Sequence, residues 1–361
     1  MKIGLLLPTM YPWELDEGAL AVAEAANCDS VWTVDHFLSL FHPEIWAERV
    51  EDRPFADPDA HFDPFVVSAA LGRTTRLALG VGVTDSARRR APDVARTALS
   101  LQSLCEGGFN LGIGCGEAQN LLPFGYDFSR PVARCEEFLR ELRSLLDEGR
   151  MPDGGVGRLG LPLETAAGKP RVWVAAHGPR MLRLTGEYGD GWLPSWGLDP
   201  DEYGRRRLEV ARHASEAGRP APMSGLLAIT MIGESRQRIR ELYKVEPLAK
   251  LTTLAASAER WRAHGLEHPD GPTSRGMPDV ITHNLSADAL RELAPKIPHE
   301  LLEEGRFCGS VEELVEQFAA FARQGLEYLV IANVTGSVGG RKQAETHASD
   351  FPELVKRLAE L

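Results

Sequence analysis

The chain has 361 residues, 43% hydrophobic and 25% charged, a composition that can bury a sizeable core and excludes bulk disorder. Lys and Arg total 40 against 52 Asp and Glu, and the resulting net charge of −12 makes the phosphate backbone of a nucleic acid a poor partner. No run of about 18 apolar residues occurs, which excludes an expected membrane-spanning helix.

The first eight residues, Met1 to Pro8, are too short a hydrophobic run for a signal peptide and lack a small-residue cleavage site, so they read as a buried first strand. Seven further short apolar runs bounded by turn residues follow, at 30–34, 77–83, 110–114, 171–175, 191–194, 226–232 and 328–332. Helical patterns lie between and after them, at 16–26, 64–71, 92–104, 134–148, 180–187, 200–217, 311–323 and 351–360. Asp63-Pro64 and Ser310-Val311, the latter with Glu313, supply helix-start signals. Alternating strands and helices imply a parallel sheet, and eight strands at this length predict a closed (β/α)8 TIM barrel forming a single domain over residues 1–361. An open doubly wound sheet would carry a glycine-rich fingerprint after its first strand, where this chain has Pro8-Thr9-Met10. Three insertions interrupt the repeat, near 39–61, 151–169 and 244–298. Cys28, Cys105, Cys115, Cys135 and Cys308 are scattered, with no C-x-x-C, which fits a reducing cytoplasm.

Barrel chemistry sits at the C-terminal ends of strands, so residues there are the site candidates. Asp35-His36 ends the second strand, and His36 reads either as a proton-transfer group or as a structural histidine beside a strand-end cap. Gly112-Ile113-Gly114-Cys115-Gly116-Glu117 ends the fourth; its glycines leave room for a flat ligand or simply make a tight turn, and Glu117 lands on the same rim. Gly82-Val83-Thr84-Asp85 ends the third and runs into Arg88-Arg89-Arg90, which reads as an anion clamp or as a solvated charge run. Ala176-His177-Gly178-Pro179 joins the fifth strand to a helix whose N-terminus can cradle a phosphate. His264-Gly265-Leu266-Glu267-His268 matches H-x-x-E-H, but Gly265 and Pro269 disfavour the helix that zinc ligation by this motif requires, and no metal is expected.

Taken together these motifs resemble the bacterial luciferase-like superfamily, and within it the branch that uses the deazaflavin coenzyme F420, most of all the mycobacterial phthiodiolone ketoreductase group. The resemblance runs over nearly the whole chain and rests on Asp35-His36, Val83-Thr84-Asp85, the stretch from Gly114 to Glu117, Pro131-Val132-Ala133-Arg134, the stretch from Trp173 to Leu182, and Glu267-His268-Pro269. It implies an F420H2-dependent reductase of a C=O, C=N or activated C=C bond, in a lipid or in a specialised metabolite such as a dehydroamino acid within a peptide. An FMN-dependent monooxygenase on the same barrel is the alternative. By the resemblance, His36 and Glu117 are catalytic; His36 is the candidate proton donor, with Glu117 tuning it or positioning the substrate, and either the imidazole or the carboxyl can deliver the proton. Asp35 matches a cofactor-contacting position. Gly82-Val83 matches a bulge with a non-proline cis peptide behind the deazaflavin ring, with Thr84 beside it. Gly116 lines the cofactor, and Ala176, His177, Gly178 and Pro179 hold its phosphate. Related F420-dependent glucose-6-phosphate dehydrogenases carry a Trp four residues after the histidine; this chain has Leu40 there, so sugar-phosphate oxidation is not implied. Relatives usually pair, which implies a homodimer.

Overall fold

The computed structural model describes residues 1–154 and 156–361. Eight parallel strands close a barrel. They are β1 (Lys2–Leu6), β2 (Ser30–Thr33), β3 (Ala78–Asp85), β4 (Phe109–Gly114), β5 (Arg171–Val174), β6 (Gly191–Trp192), β7 (Met223–Ile232) and β9 (Tyr328–Asn333). Neighbours pair in that order, and β9 returns to β1 with Lys2 opposite Tyr328. A ninth strand, β8 (Phe307–Gly309), departs from the sequence expectation. It pairs with the last three residues of β7, from Thr230 to Ile232, beyond the stretch of β7 that meets β6.

The helices start where their caps predict. Asp63 accepts hydrogen bonds from the N–H groups of Phe65 and Val66 ahead of helix Pro64–Leu71, and Ser310 and Glu313 form a reciprocal capping box for helix Val311–Arg323. Their apolar faces bury against the outside of the strands in one continuous core. Inside the barrel, Trp32, Trp173, Tyr328 and Val330 fill the floor. The Trp32 indole donates to Ser30 Oγ at 2.8 Å, Tyr328 donates to the same oxygen at 2.7 Å, and Trp173 donates to Asn110 Oδ1 at 2.9 Å, so the polar tips of these large rings are satisfied. Gly80 makes the space: a Cβ there would lie 2.6 Å from the Trp32 ring. The floor is plugged, and the strands terminate at the opposite end, the face where barrels of this kind build their sites.

Two of the three insertions meet over that end. Ile45, Trp46 and Phe55 from the first pack with Leu254, Trp261, Val280, Leu290 and Ile297 from the last in a second core. Buried Arg53 donates to buried Glu246 at 3.0 Å, and His283 pairs with Asp59 at 2.7 Å, fastening one segment to the other. The middle insertion precedes β5 and so sits at the opposite, N-terminal end, where Gln102 holds the carbonyl of Gly168 at 3.0 Å. Gly155 within it lies outside the described residues. No helix among the described residues is long and apolar enough to cross a membrane.

Candidate active site

His36 and Glu117 leave β2 and β4 on the same rim, with His36 Nε2 3.9 Å from Glu117 Oε2. Their side chains are 30% and 28% exposed, open enough to meet a ligand yet sheltered enough to lose much of their hydration. Burial lowers the His36 pKa to about 4; nearby Asp35 opposes that shift and Arg88 adds to it. Burial raises the Glu117 carboxyl to about 7, with Asp85 adding to the effect and hydrogen bonds from Gln119 and Asn120, together with Arg88, opposing it. Near pH 7 the pair is therefore a neutral imidazole facing a carboxyl group close to half protonation. The two groups titrate in the inverse of their usual order, an arrangement that lets a carboxyl act as acid beside a neutral imidazole.

Asn120 couples the two loops. Its Nδ2 donates to Glu117 Oε2 at 3.1 Å, while its Oδ1 accepts from the backbone N–H groups of Phe37 at 2.7 Å and Leu38 at 3.1 Å. One amide thus orients the acid and fixes the turn that carries His36.

Two arginines of the run depart from its sequence readings, while Arg90 is exposed. Arg88 is buried, its Nε on the Asp85 carboxylate and its Nη2 2.7 Å from the Asp35 carbonyl. Arg89 reaches Asp35 Oδ2 at 3.3 Å and Asp63 at 2.8 Å, and its guanidinium lies over the Phe65 ring. Two of the three arginines are thereby engaged by carboxylates, from the ends of β2 and β3 and from the N-cap Asp63, rather than forming a free solvated run. Asp35 also accepts from Thr84 Oγ1 at 2.6 Å, so its buried carboxylate braces β2 against β3.

The Gly82–Val83 peptide is cis, and the register between β3 and β4 shifts between Val81 and Thr84, forming a bulge there. The glycines of β4 serve this bulge: a Cβ on Gly112 would lie 2.3 Å from the Val81 carbonyl oxygen and 2.6 Å from Val83 Cγ1. Within the protein, then, the space they leave holds Val83. Gly116 has φ +90°, a left-handed conformation that L side chains rarely adopt. It turns the chain so that Glu117 follows on the rim.

Beyond β5, the Ala176 carbonyl accepts from the Trp192 indole at 2.9 Å and the His177 carbonyl accepts from Arg206 at 2.9 Å. These bonds pin the loop that leads into helix Pro179–Tyr188. Burial, reinforced by Arg206 and Arg260, lowers the His177 pKa to about 4. Gly178 precedes this helix with φ −79° and ψ 157°, an ordinary extended conformation, and a Cβ on it would meet no atom within 4 Å. Neither conformation nor packing requires a glycine there. The open space lies over first-turn N–H groups that have no intrahelical acceptor and can bind an oxyanion.

The H-x-x-E-H motif does not assemble. Helix Ala258–Ala263 ends before it and Gly265 has φ +73°. His264 pairs with Glu304 at 2.7 Å, whereas His268 Nε2 lies 3.1 Å from the Leu254 carbonyl.

Sequence reasoning missed Asn120, the bracing roles of Arg88 and Arg89, and His61, whose ring stands edge-on to His36 with centroids 5.6 Å apart. The Asn three residues after Glu117 was readable as a possible partner for it; His61 had no such signal, because the first insertion carries no periodic pattern.

The luciferase-like monooxygenase family matches residues 17–328. The chain is 35% identical to a phthiodiolone/phenolphthiodiolone dimycocerosates ketoreductase of Mycobacterium kansasii, covering 94% of this chain and 96% of that protein. It is 32% identical over 214 residues to an F420-dependent glucose-6-phosphate dehydrogenase of Mycobacterium avium, covering 56% and 59% of the two chains. Among solved structures it superposes on an F420-dependent secondary alcohol dehydrogenase in complex with an F420–acetone adduct, with a TM-score of 0.67 at 18% identity over 99% and 98% of the two chains.

Proposed function

Since the chain belongs to the luciferase-like monooxygenase family, we propose that it is an F420-dependent reductase that converts the carbonyl of a largely apolar ketone to an alcohol. The observation that carries this reading is the pairing of Glu117, its carboxyl raised to about 7, with neutral His36 at the open end of the barrel. The full-length relative from M. kansasii is named a ketoreductase, and the M. avium relative is named for F420.

The residues fit a deazaflavin. Gly178 leaves an open cradle at a helix N-terminus for a phosphate, and Val83 projects from the β3 bulge as an apolar support for a flat ring. When bound, the cofactor supplies a hydride to the carbonyl carbon. Glu117 gives its proton to the carbonyl oxygen, and the carboxylate left behind is stabilised by the same Gln119 and Asn120 hydrogen bonds and by Arg88. His36, neutral above about pH 4, orients the carbonyl oxygen by hydrogen bonding. Phe37, Leu122, Phe124 and Tyr126 form an exposed apolar shelf beside the pair, with the Phe37 and Phe124 rings 4.5 Å apart, and this shelf suits an apolar chain attached to the ketone.

The test is turnover with F420H2 and a panel of ketones of increasing chain length, followed by the absorbance of the oxidised deazaflavin and identification of the alcohol. Alcohol formation that improves with chain length is expected. No ketone reduction, or oxygen-dependent turnover with reduced FMN instead, removes the proposal.

A further inference from the structure

Among the described residues the His36 imidazole makes no hydrogen bond; its flanking groups are the Glu117 carboxylate at 3.9 Å and the ring of His61. The His61 ring stands at 86° to that of His36. The His61 backbone is fixed from both sides: it bridges Met10, Tyr11 N–H donates to the Ala60 carbonyl at 2.9 Å, and Phe62 N–H donates to the Thr9 carbonyl at 2.9 Å. Thr9 also supports the other ring, because its Oγ1 accepts from the N–H of Val34 at 3.0 Å, two residues before His36. Thr9 and Met10 are held in turn by N–H bonds to the buried Asp16 carboxylate, at 2.8 and 3.1 Å. One anchored turn after β1 therefore carries both imidazoles.

Both ring nitrogens of His61 are shielded from solvent, and neither makes a hydrogen bond of full geometry, although the Thr9 backbone lies close enough to favour the protonated ring. A group so placed does not exchange protons readily with solvent or ligand, and unsatisfied buried polar atoms are costly. From the edge-on contact and the anchored backbone we infer that His61 is a positioning residue: it holds the His36 ring in place and excludes water from one side of it. This rests on the role given above to His36. The charged and titratable groups around His36 are Asp35, Arg88, Glu117 and His61. Those around His61 are His36, Asp59 and Asp35, and burial with its His36 neighbour lowers its own pKa to about 4.

The experiment is an NMR titration of the His36 ring, assigned with His36→Gln, in the wild-type protein and in His61→Ala and His61→Phe, with melting temperature measured on each. Opening the space beside His36 to water relieves the burial that depresses it. His61→Ala should therefore raise the His36 midpoint by about one unit or more, while His61→Phe, which keeps a ring there, should leave it near the wild-type value. In ketone reduction, His61→Ala should lower kcat about tenfold or more with little change in deazaflavin affinity, and His61→Phe should recover most of the loss. If His61→Ala does not fold, His61→Gln is read in its place, with the same expected rise. A folded variant lacking the ring whose His36 midpoint is unchanged overturns the inference, as does a His61→Phe midpoint shifted as far as that of His61→Ala. The titration needs neither cofactor nor substrate. A raised midpoint in a protein that binds no deazaflavin would thus retire the proposed function and keep the positioning role.

Discussion

Replacing Glu117 with Gln removes the transferable proton and keeps the shape of the side chain. With its pKa at about 7, close to half of the Glu117 carboxyls carry a proton at neutral pH; at the ordinary value of 4.5 only roughly one in three hundred would. Burial thus raises the supply of acid by about a hundredfold, and losing that acid should lower the rate of carbonyl reduction by about 10²–10⁴-fold. The wild-type rate should fall as pH rises through about 7, because the reduction consumes the protonated form, and the reverse oxidation should show the opposite slope. His36 contributes no limb above about pH 4. The same shift has a stability consequence. The folded-state pKa lies above the unfolded one, so the native state favours the protonated carboxyl, and stability is lost between about pH 4.5 and 7 as the unfolded chain ionises first. The shift corresponds to an upper limit of about 3 kcal/mol, which Glu117→Gln should partly return above pH 7. Single-turnover mixing of F420H2-loaded enzyme with ketone across this pH range, with thermal melts at the same pH values, reads both effects. A Gln variant with the wild-type rate and pH profile would remove Glu117 from proton transfer, and a stability difference that did not grow with pH would refute the raised pKa.

Gly178→Val should leave the melting temperature of the ligand-free protein nearly unchanged, since φ is −79° and a Cβ meets no atom. It should weaken deazaflavin binding by about tenfold or more by occupying the cradle; unchanged affinity would place the phosphate elsewhere. Asn120→Ala removes a hydrogen bond that stabilises the Glu117 carboxylate, so the high-pH limit of reduction should move above 7. The same change leaves the Phe37 and Leu38 N–H groups without their acceptor and should cost about 1–3 kcal/mol in denaturant melts. A pH limit that moved down would contradict the assignment of that limb to Glu117.

Much of the barrel was legible because strands of a parallel sheet are covered on both faces and read as apolar runs, while helix starts carry their own caps at Asp63 and Ser310. Strand β8 escaped because three residues, Phe307 to Gly309, pair only with the end of β7 and leave no periodic trace. The sites at His36 and Glu117 could be read from strand-end position, but their electrostatics could not. Depressed and raised pKa values arise mainly from desolvation, which the folded packing sets and no local sequence pattern displays. The arginine run shows the same limit, since a charge cluster reads as solvated until Asp35 and Asp85 are seen on adjacent strand ends. Gly112 was read as space for a ligand, and only the bulge at Val83 shows which atoms fill it.

The central claim is that this barrel holds a deazaflavin and works by hydride transfer. Fluorescence titration of the purified protein with F420, in parallel with FMN, tests it most directly. The account predicts saturable F420 binding that is weakened by Gly178→Val, with FMN binding much more weakly. Tight FMN binding with no detectable affinity for F420 would contradict it.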